Sequence, residues 1–217
     1  MRVAGVDDAG RGCVIGPLVV AGILIDEGDL ERLRLLGVHD SKRLTPHRRE
    51  VLASRIKELA LDYAYFEIPP WAIDRVVERG VKLRRLNYLE AMAMANVIRR
   101  LKPDIVYVDA SDIDAERFGC QILSVLREKP RIVSEHEADA RYPVVAAASI
   151  LAKVRRDSII KELHRLYGDF GSGYPHDPRT VRFLEDWFRR NPGEVPPFIR
   201  GSWSTVKRIR RRLLFQG

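Results

Sequence analysis

The sequence predicts an α/β fold, a mixed sheet flanked by helices and followed by a C-terminal helical extension. Three observations carry this. Strand-like runs rich in β-branched residues fill most of the first 25 residues and return at 62–68, 104–110 and 131–134. Segments of helical period alternate with the later strands. After a Gly-rich connection near residue 170 the chain reads as helical to its end.

Taken in order, Arg2 to Val6 reads as a short buried strand and Val14 to Ile25 as a second, with the tight segment Asp7-Asp8-Ala9-Gly10-Arg11-Gly12 between them, which makes a hairpin. Asp29 to Gly37 gives a short helical turn. Pro46 opens a helix to about Leu59, capped by Thr45. Asp62 to Ile68 is a third strand, closed by Pro69-Pro70. Residues 83–101 put Leu86, Leu89, Ala93, Val97 and Leu101 on one helical stripe. Asp104 to Ala110 is a buried strand, Asp112 to Leu126 a helix, Arg131 to Ser134 a strand, and Ala138 to Leu166 an Ala-rich helix. The Gly-rich stretch near residue 170 is the plausible boundary, dividing the chain into a main domain at 1–167 and a helical extension at 168–217.

The 38 Lys and Arg against 30 Asp and Glu leave a net charge of +8 and a pI near 9.7. Of the basic residues 30 are Arg and 8 Lys, and Arg is the better fork for phosphate oxygens. With 46% hydrophobic residues the chain is no disordered basic tail. A protein that meets polyanions is the first reading, and a surface adjusted for heat or solubility the rival. Cys13 and Cys120 make no disulfide framework or metal-ligand spacing. No apolar run resembles a signal peptide or a membrane span, so a cytoplasmic protein without membrane contact is expected.

The informative acids sit at strand ends. Asp7 and Asp8 follow the first strand, Asp109 closes the fourth, and Asp139 opens a helix after the last. If the first and fourth strands are parallel neighbours, about 4.8 Å apart, Asp7 and Asp109 converge. Carboxylates so close repel unless a divalent cation joins them, and oxygen ligands without His or Cys favour Mg²⁺ or Mn²⁺ over zinc. The plainer reading also stands: Asp-Asp before a Gly is a common turn, and Asp112, Asp114 and Asp139 are simple helix caps. GVDDAGRG lacks the Gly-Lys-Ser/Thr ending of a phosphate loop, GDFGSG follows a helix instead of a strand, and DASDIDAER lacks the Gly and terminal Glu of a calcium loop.

In five ordered places the residues resemble type 2 ribonuclease H, ribonuclease HII, in its short single-chain form. Asp7-Asp8-Ala9-Gly10-Arg11-Gly12 is similar to the family's Asp-Glu-Ala-Gly-Arg-Gly, Asp40-Ser41-Lys42 to its Asp-Ser-Lys, and Tyr107-Val108-Asp109 to its strand end. Ala138-Asp139 with Tyr142 to Ile150 and Ala152-Lys153-Val154 resembles its most distinctive block, and Gly171-Ser172-Gly173-Tyr174 its substrate-reading segment. The resemblance implies an RNase H-like fold and an endonuclease that cuts the RNA strand of RNA/DNA hybrids. It further implies cleavage 5′ of single ribonucleotides in duplex DNA, leaving 3′-hydroxyl and 5′-phosphate ends, as in ribonucleotide excision repair.

By the same resemblance, Asp7, Asp8, Asp109 and Asp139 hold two Mg²⁺ or Mn²⁺ ions, one activating water and the other stabilising the departing 3′-oxygen. Gly10, Arg11 and Gly12 place backbone groups against the 2′-hydroxyl, and Tyr174 stacks on the following sugar. Ser41, Lys42 and Lys153 are phosphate contacts. A monomer is expected. The family's sliding-clamp motif has no clean copy here, which leaves a clamp as an open partner, and Lys207 to Arg212 reads as a backbone-contacting run or a solvated face. Leu214-Phe215-Gln216-Gly217 resembles a picornaviral-type protease site, so the last residues read as a tag remnant.

One position departs from the family pattern. Asp8 stands where the family has Glu, a loss of about 1.5 Å of reach. The expectation is retained binding with reduced Mg²⁺-dependent cleavage, less reduced in Mn²⁺. A hybrid-binding protein with little catalysis, or another two-metal nuclease of the same superfamily, is the alternative.

Overall fold

The computed structural model describes residues 1–38, 45–78 and 82–214, with side chains at all of these except 82–85. Strand β1 (Arg2–Ala9) pairs antiparallel with β2 (Leu18–Asp26), Arg2 opposite Asp26 and Ala9 opposite Val19. Helices α1 (Leu30–Leu35) and α2 (Pro46–Leu59) follow. Pro46 opens α2 and the Thr45 hydroxyl accepts from the Arg48 N–H at 3.3 Å, as the sequence predicts. Then come β3 (Asp62–Ile68), α3 (Pro70–Glu78), α4 (Lys82–Leu101), β4 (Ile105–Asp109), α5 (Ala115–Ser124) and β5 (Arg131–Glu135). The chain ends with α6 (Ala138–Arg141), α7 (Pro143–Tyr167), α8 (Pro178–Arg190) and α9 (Ser204–Leu214).

The strands lie in the order β3-β2-β1-β4-β5. β4 runs parallel to both β1 and β5, which makes the sheet mixed. β1 is buried on both faces, which is why it reads as an apolar run without alternation. On one face Val3, Ala21, Ile23 and Ile25 pack with Leu52 and Ile56 of α2 and the Ala-rich stretch Val144 to Ala152 of α7. A Cβ at Gly5 would stand 2.2 Å from the Val144 carbonyl carbon, so this glycine is what lets α7 lie against the sheet. On the other face the Gly22 position meets Val97 and Leu101 of α4.

Several expected boundaries move. Asp7 and Asp8 lie within β1, and the second strand begins at Leu18 because Gly16 adopts a φ of 90° and Pro17 follows it. Helix α3 starts at Pro70, a residue read above as a strand stop; a proline suits a first helical turn as well as an end. The helix expected from Asp112 begins at Ala115, with the Asp114 carboxylate accepting from the Arg117 N–H at 2.9 Å. The Ala-rich helix is divided at Tyr142, since Pro143 has no N–H to continue α6.

By density of contacts the chain forms two compact units. One comprises 1–9, 19–67 and 86–155, and holds the sheet; the other comprises 10–18, 68–85 and 156–217. The second has its own core, with Val14, Ile15, Ile73, Phe170, Leu184, Phe188, Ile199 and Val206 all buried.

Candidate active site

In the sheet unit the parallel register sets Val6 opposite Val108, so the next residues, Asp7 within β1 and Asp109 at the end of β4, lie on neighbouring strands side by side. Consecutive strand residues face opposite ways, so Asp7 turns toward the α7 side and Asp8 away from it. Asp7 is buried, with 5% exposure, and its carboxylate accepts the Asp8 N–H at 2.7 Å. Burial above all, and then the charge of Asp8, push the Asp7 carboxyl up to about 8; a Ser149 hydrogen bond opposes this and Asp109 adds to it. Asp109 accepts the N–H of Ala138 at 3.0 Å, which ties the start of α6, and with it the buried Asp139, to the end of β4. The Ser111 hydroxyl reaches Asp8 at 3.4 Å.

Lys153, expected as a phosphate contact, donates to the Ser149 hydroxyl at 2.8 Å, one hydroxyl away from Asp7. Ser149 is the member of this chain that the sequence reading passed over; it lies one helical turn before Lys153, and that spacing was the available signal. Ser41 and Lys42 lie outside the described residues.

The second unit brings together the other expected residues. Gly10, Arg11 and Gly12 open the loop that runs to Pro17, and Tyr174 closes the Gly-rich segment. The Val14 and Ile15 N–H groups donate to the Gly173 carbonyl at 2.8 and 3.1 Å, so the two segments are joined main chain to main chain. Gly10 has a φ of 91°, and a Cβ there would lie 2.6 Å from the Arg156 side chain. Arg156 donates to the Ser172 carbonyl at 3.2 Å, and its guanidinium lies 4.8 Å from the centre of the Tyr174 ring. Arg200, on the segment before α9, bonds the Gly10, Arg11 and Gly16 carbonyls. Neither arginine was singled out from the sequence, where both are lost among 30.

A family model for ribonuclease HII matches residues 4–206. The chain belongs to the ribonuclease HII family. The ribonuclease HII of Methanosarcina mazei is 48% identical over 221 residues, 98% of this chain and 99% of that one. The crystal structure of the ribonuclease H2 from Pyrococcus horikoshii superposes with a TM-score of 0.90 at 45% identity, covering 99% of both chains. The ribonuclease HII of Archaeoglobus fulgidus, solved in a complex with PCNA, gives 0.85 at 43% identity over 96% of each chain. The sequence resemblance and the RNase H-like fold are thereby established, and the enzyme is a type 2 ribonuclease H, a hydrolase with endonuclease activity.

Ribonucleases H depend on divalent metal, and the acids of this ribonuclease HII suit one in their chemistry. Asp7 is a buried oxygen donor in electrostatic contact with two further carboxylates, an arrangement that a hard cation neutralises. Among the described residues no three His, Cys, Asp or Glu side chains are gathered closely enough to enclose one ion. An all-oxygen donor set of this kind suits a hard divalent cation. No helix among the described residues is long and apolar enough to cross a membrane.

Proposed function

We propose that this ribonuclease HII cuts the RNA strand of RNA/DNA hybrids and the 5′ side of single ribonucleotides in duplex DNA, leaving 3′-hydroxyl and 5′-phosphate ends. The observation that carries this is the joining of Gly10-Arg11-Gly12 to the Tyr174 segment through Gly173 and Arg156 within one compact unit. A glycine-lined main chain next to an aromatic ring suits a 2′-hydroxyl followed by a deoxyribose. Asp7, Asp8, Asp109 and Asp139 are the residues for two Mg²⁺ or Mn²⁺ ions. When bound, such ions supply an activated water and stabilise the leaving oxygen in an in-line displacement. Asp7 binds in its deprotonated form, with Ser149 and Lys153 orienting it. Ser41 and Lys42 contact backbone phosphates, and Lys153 does so through its remaining donors. The extension 168–217 supplies Tyr174 and the basic helix α9.

Asp8 is shorter by one methylene than the family's Glu, and this weakens Mg²⁺-dependent cleavage more than binding. The enzyme acts as a cytoplasmic monomer in ribonucleotide excision repair. A sliding clamp is a candidate partner by analogy with the A. fulgidus complex.

The test is one assay with three substrates: a DNA duplex carrying a single ribonucleotide, an RNA/DNA hybrid and an all-DNA duplex, each with Mg²⁺, Mn²⁺ or chelator. Cutting of the first two only, and only with metal, is the expected result. Binding without cutting in either metal supports the hybrid-binding alternative. Asp8→Glu is expected to raise the single-turnover rate in Mg²⁺, and an unchanged rate removes the role given to the missing methylene.

A further inference from the structure

Arg200 has 0% exposure, and its guanidinium is spent on the main chain of one loop. Nη2 donates to the Gly10 carbonyl at 2.7 Å and to that of Gly16 at 3.1 Å, Nη1 donates to the Arg11 carbonyl at 2.8 Å, and Nε to Gly16 at 3.1 Å. The segment that carries it is itself held in place. Asp74 accepts from the N–H groups of Gly201 and Ser202 at 2.8 and 3.0 Å, and the Trp203 ring lies 5.1 Å from the guanidinium. The Arg200 N–H donates to the Val14 carbonyl at 2.9 Å.

In a planar trans peptide the C=O and N–H point in opposite directions. Turning the Gly10 and Arg11 carbonyls onto Arg200 therefore turns the N–H groups of Arg11 and Gly12 away from it. A Cβ at Gly12 would meet nothing within 4 Å, so that position faces open space. We propose that Arg200 is the positioning residue of the ribonucleotide-reading loop: it holds two carbonyls inward so that the Arg11 and Gly12 amides are offered together to a ribose 2′-hydroxyl and the phosphate beside it. The inference rests on the reading of Gly10-Arg11-Gly12 given above and adds what sets its donor direction. A guanidinium behind two outward amides also makes the front of the loop electropositive, which favours an oxygen acceptor there. Lysine cannot take this part, because one ammonium does not reproduce a planar fork that spans three carbonyls.

The experiment is equilibrium binding in chelator to a duplex with one ribonucleotide and to the same duplex in DNA, with steady-state kinetics alongside, for wild type and Arg200→Lys. Arg200→Lys is expected to keep the wild-type circular dichroism and affinity for the DNA duplex, to lose the preference for the ribonucleotide, and to raise KM about ten-fold with kcat little changed. Wild-type preference that survives in Arg200→Lys overturns the proposal alone. No preference in the wild type overturns the reading of the loop, and the proposal with it. If Arg200→Lys does not fold, NMR of the wild type decides: the Arg200 Nε–H resonance should shift with the ribonucleotide duplex and stay in place with the DNA duplex. Equal behaviour with both overturns the proposal.

Discussion

The guanidinium of Arg156 lies 4.8 Å from the centre of the Tyr174 ring, and the same side chain bonds the Ser172 carbonyl two residues earlier. The ring is thus fixed from its face and from its own main chain. Stacking of a base or sugar on an aromatic ring is worth about 1–3 kcal/mol by truncation to alanine. Tyr174→Phe should leave KM for a ribonucleotide-bearing duplex close to wild type, Tyr174→Ala should raise it about ten-fold or more, and Arg156→Met should fall between them. Steady-state kinetics on one duplex checks the order. Equal KM values for Tyr174→Ala and wild type would remove Tyr174 from substrate reading.

The Asp7 carboxyl, pushed up to about 8, makes the candidate active site a source of instability. Its value in the folded chain lies above the ordinary 3.8 of an unfolded one, so the native state holds a proton that the unfolded state releases. Stability from this group is therefore present below about pH 4 and is lost as pH rises toward 8. Asp7→Asn removes the dependence. In chelator at pH 8 the variant should be more stable than wild type by at least about 1 kcal/mol, and near pH 4 the two should be close. Urea denaturation at both pH values measures it; a pH-independent difference contradicts the assignment.

Two glycines should respond in opposite ways to the same change. At Gly5 an added methyl group meets the α7 backbone at 2.2–2.5 Å, and backbone cannot swing aside. Gly5→Ala should cost about 3 kcal/mol or prevent folding. At Gly12 the methyl group meets nothing within 4 Å. Gly12→Ala should change stability by less than about 0.5 kcal/mol while weakening recognition of the ribonucleotide. Melting temperatures paired with KM values on the single-ribonucleotide duplex test both halves.

On α9 the side chains of Lys207, Arg208 and Arg211 are exposed, whereas Val206 and Ile209 are buried. The basic run is thus the outer face of an amphipathic helix. If that face lies on duplex phosphates, replacing the three residues by Gln should reduce the slope of log K against log salt by about 2–3. An unchanged slope across a salt titration makes the run a solvated surface.

Local physics made much of this legible. Thr45 and Pro46 announce α2, and the run Ile105 to Val108 announces a buried strand, because caps and β-branched runs act over a few residues. The adjacency of β1 and β4 could be stated only as a condition, since no local rule decides which strands become neighbours. Pro70 misled because one residue type both ends strands and begins helices. Asp7 and Asp8 looked like a turn because acids followed by glycine usually make one; here the strand continues to Ala9. Arg156 and Arg200 had no signature at all. A buried arginine and a surface arginine read alike, and only the carbonyls that surround Arg200 distinguish it.

The contact between Arg200 and Gly10 spans 190 positions of the chain. At a synthesis rate of about 5–20 residues per second, the loop waits roughly 10–40 s on the ribosome for the side chain that orients it. Asp139 is made about 3–12 s before Arg200, so for that time the nascent chain contains Asp7, Asp8, Asp109 and Asp139 without the side chain that holds the Gly10 and Arg11 carbonyls. If Arg200 sets the loop as proposed, a product truncated just before it is expected to keep the four acids and to lose the preference for a ribonucleotide, so the order of translation would place the selectivity after the acids.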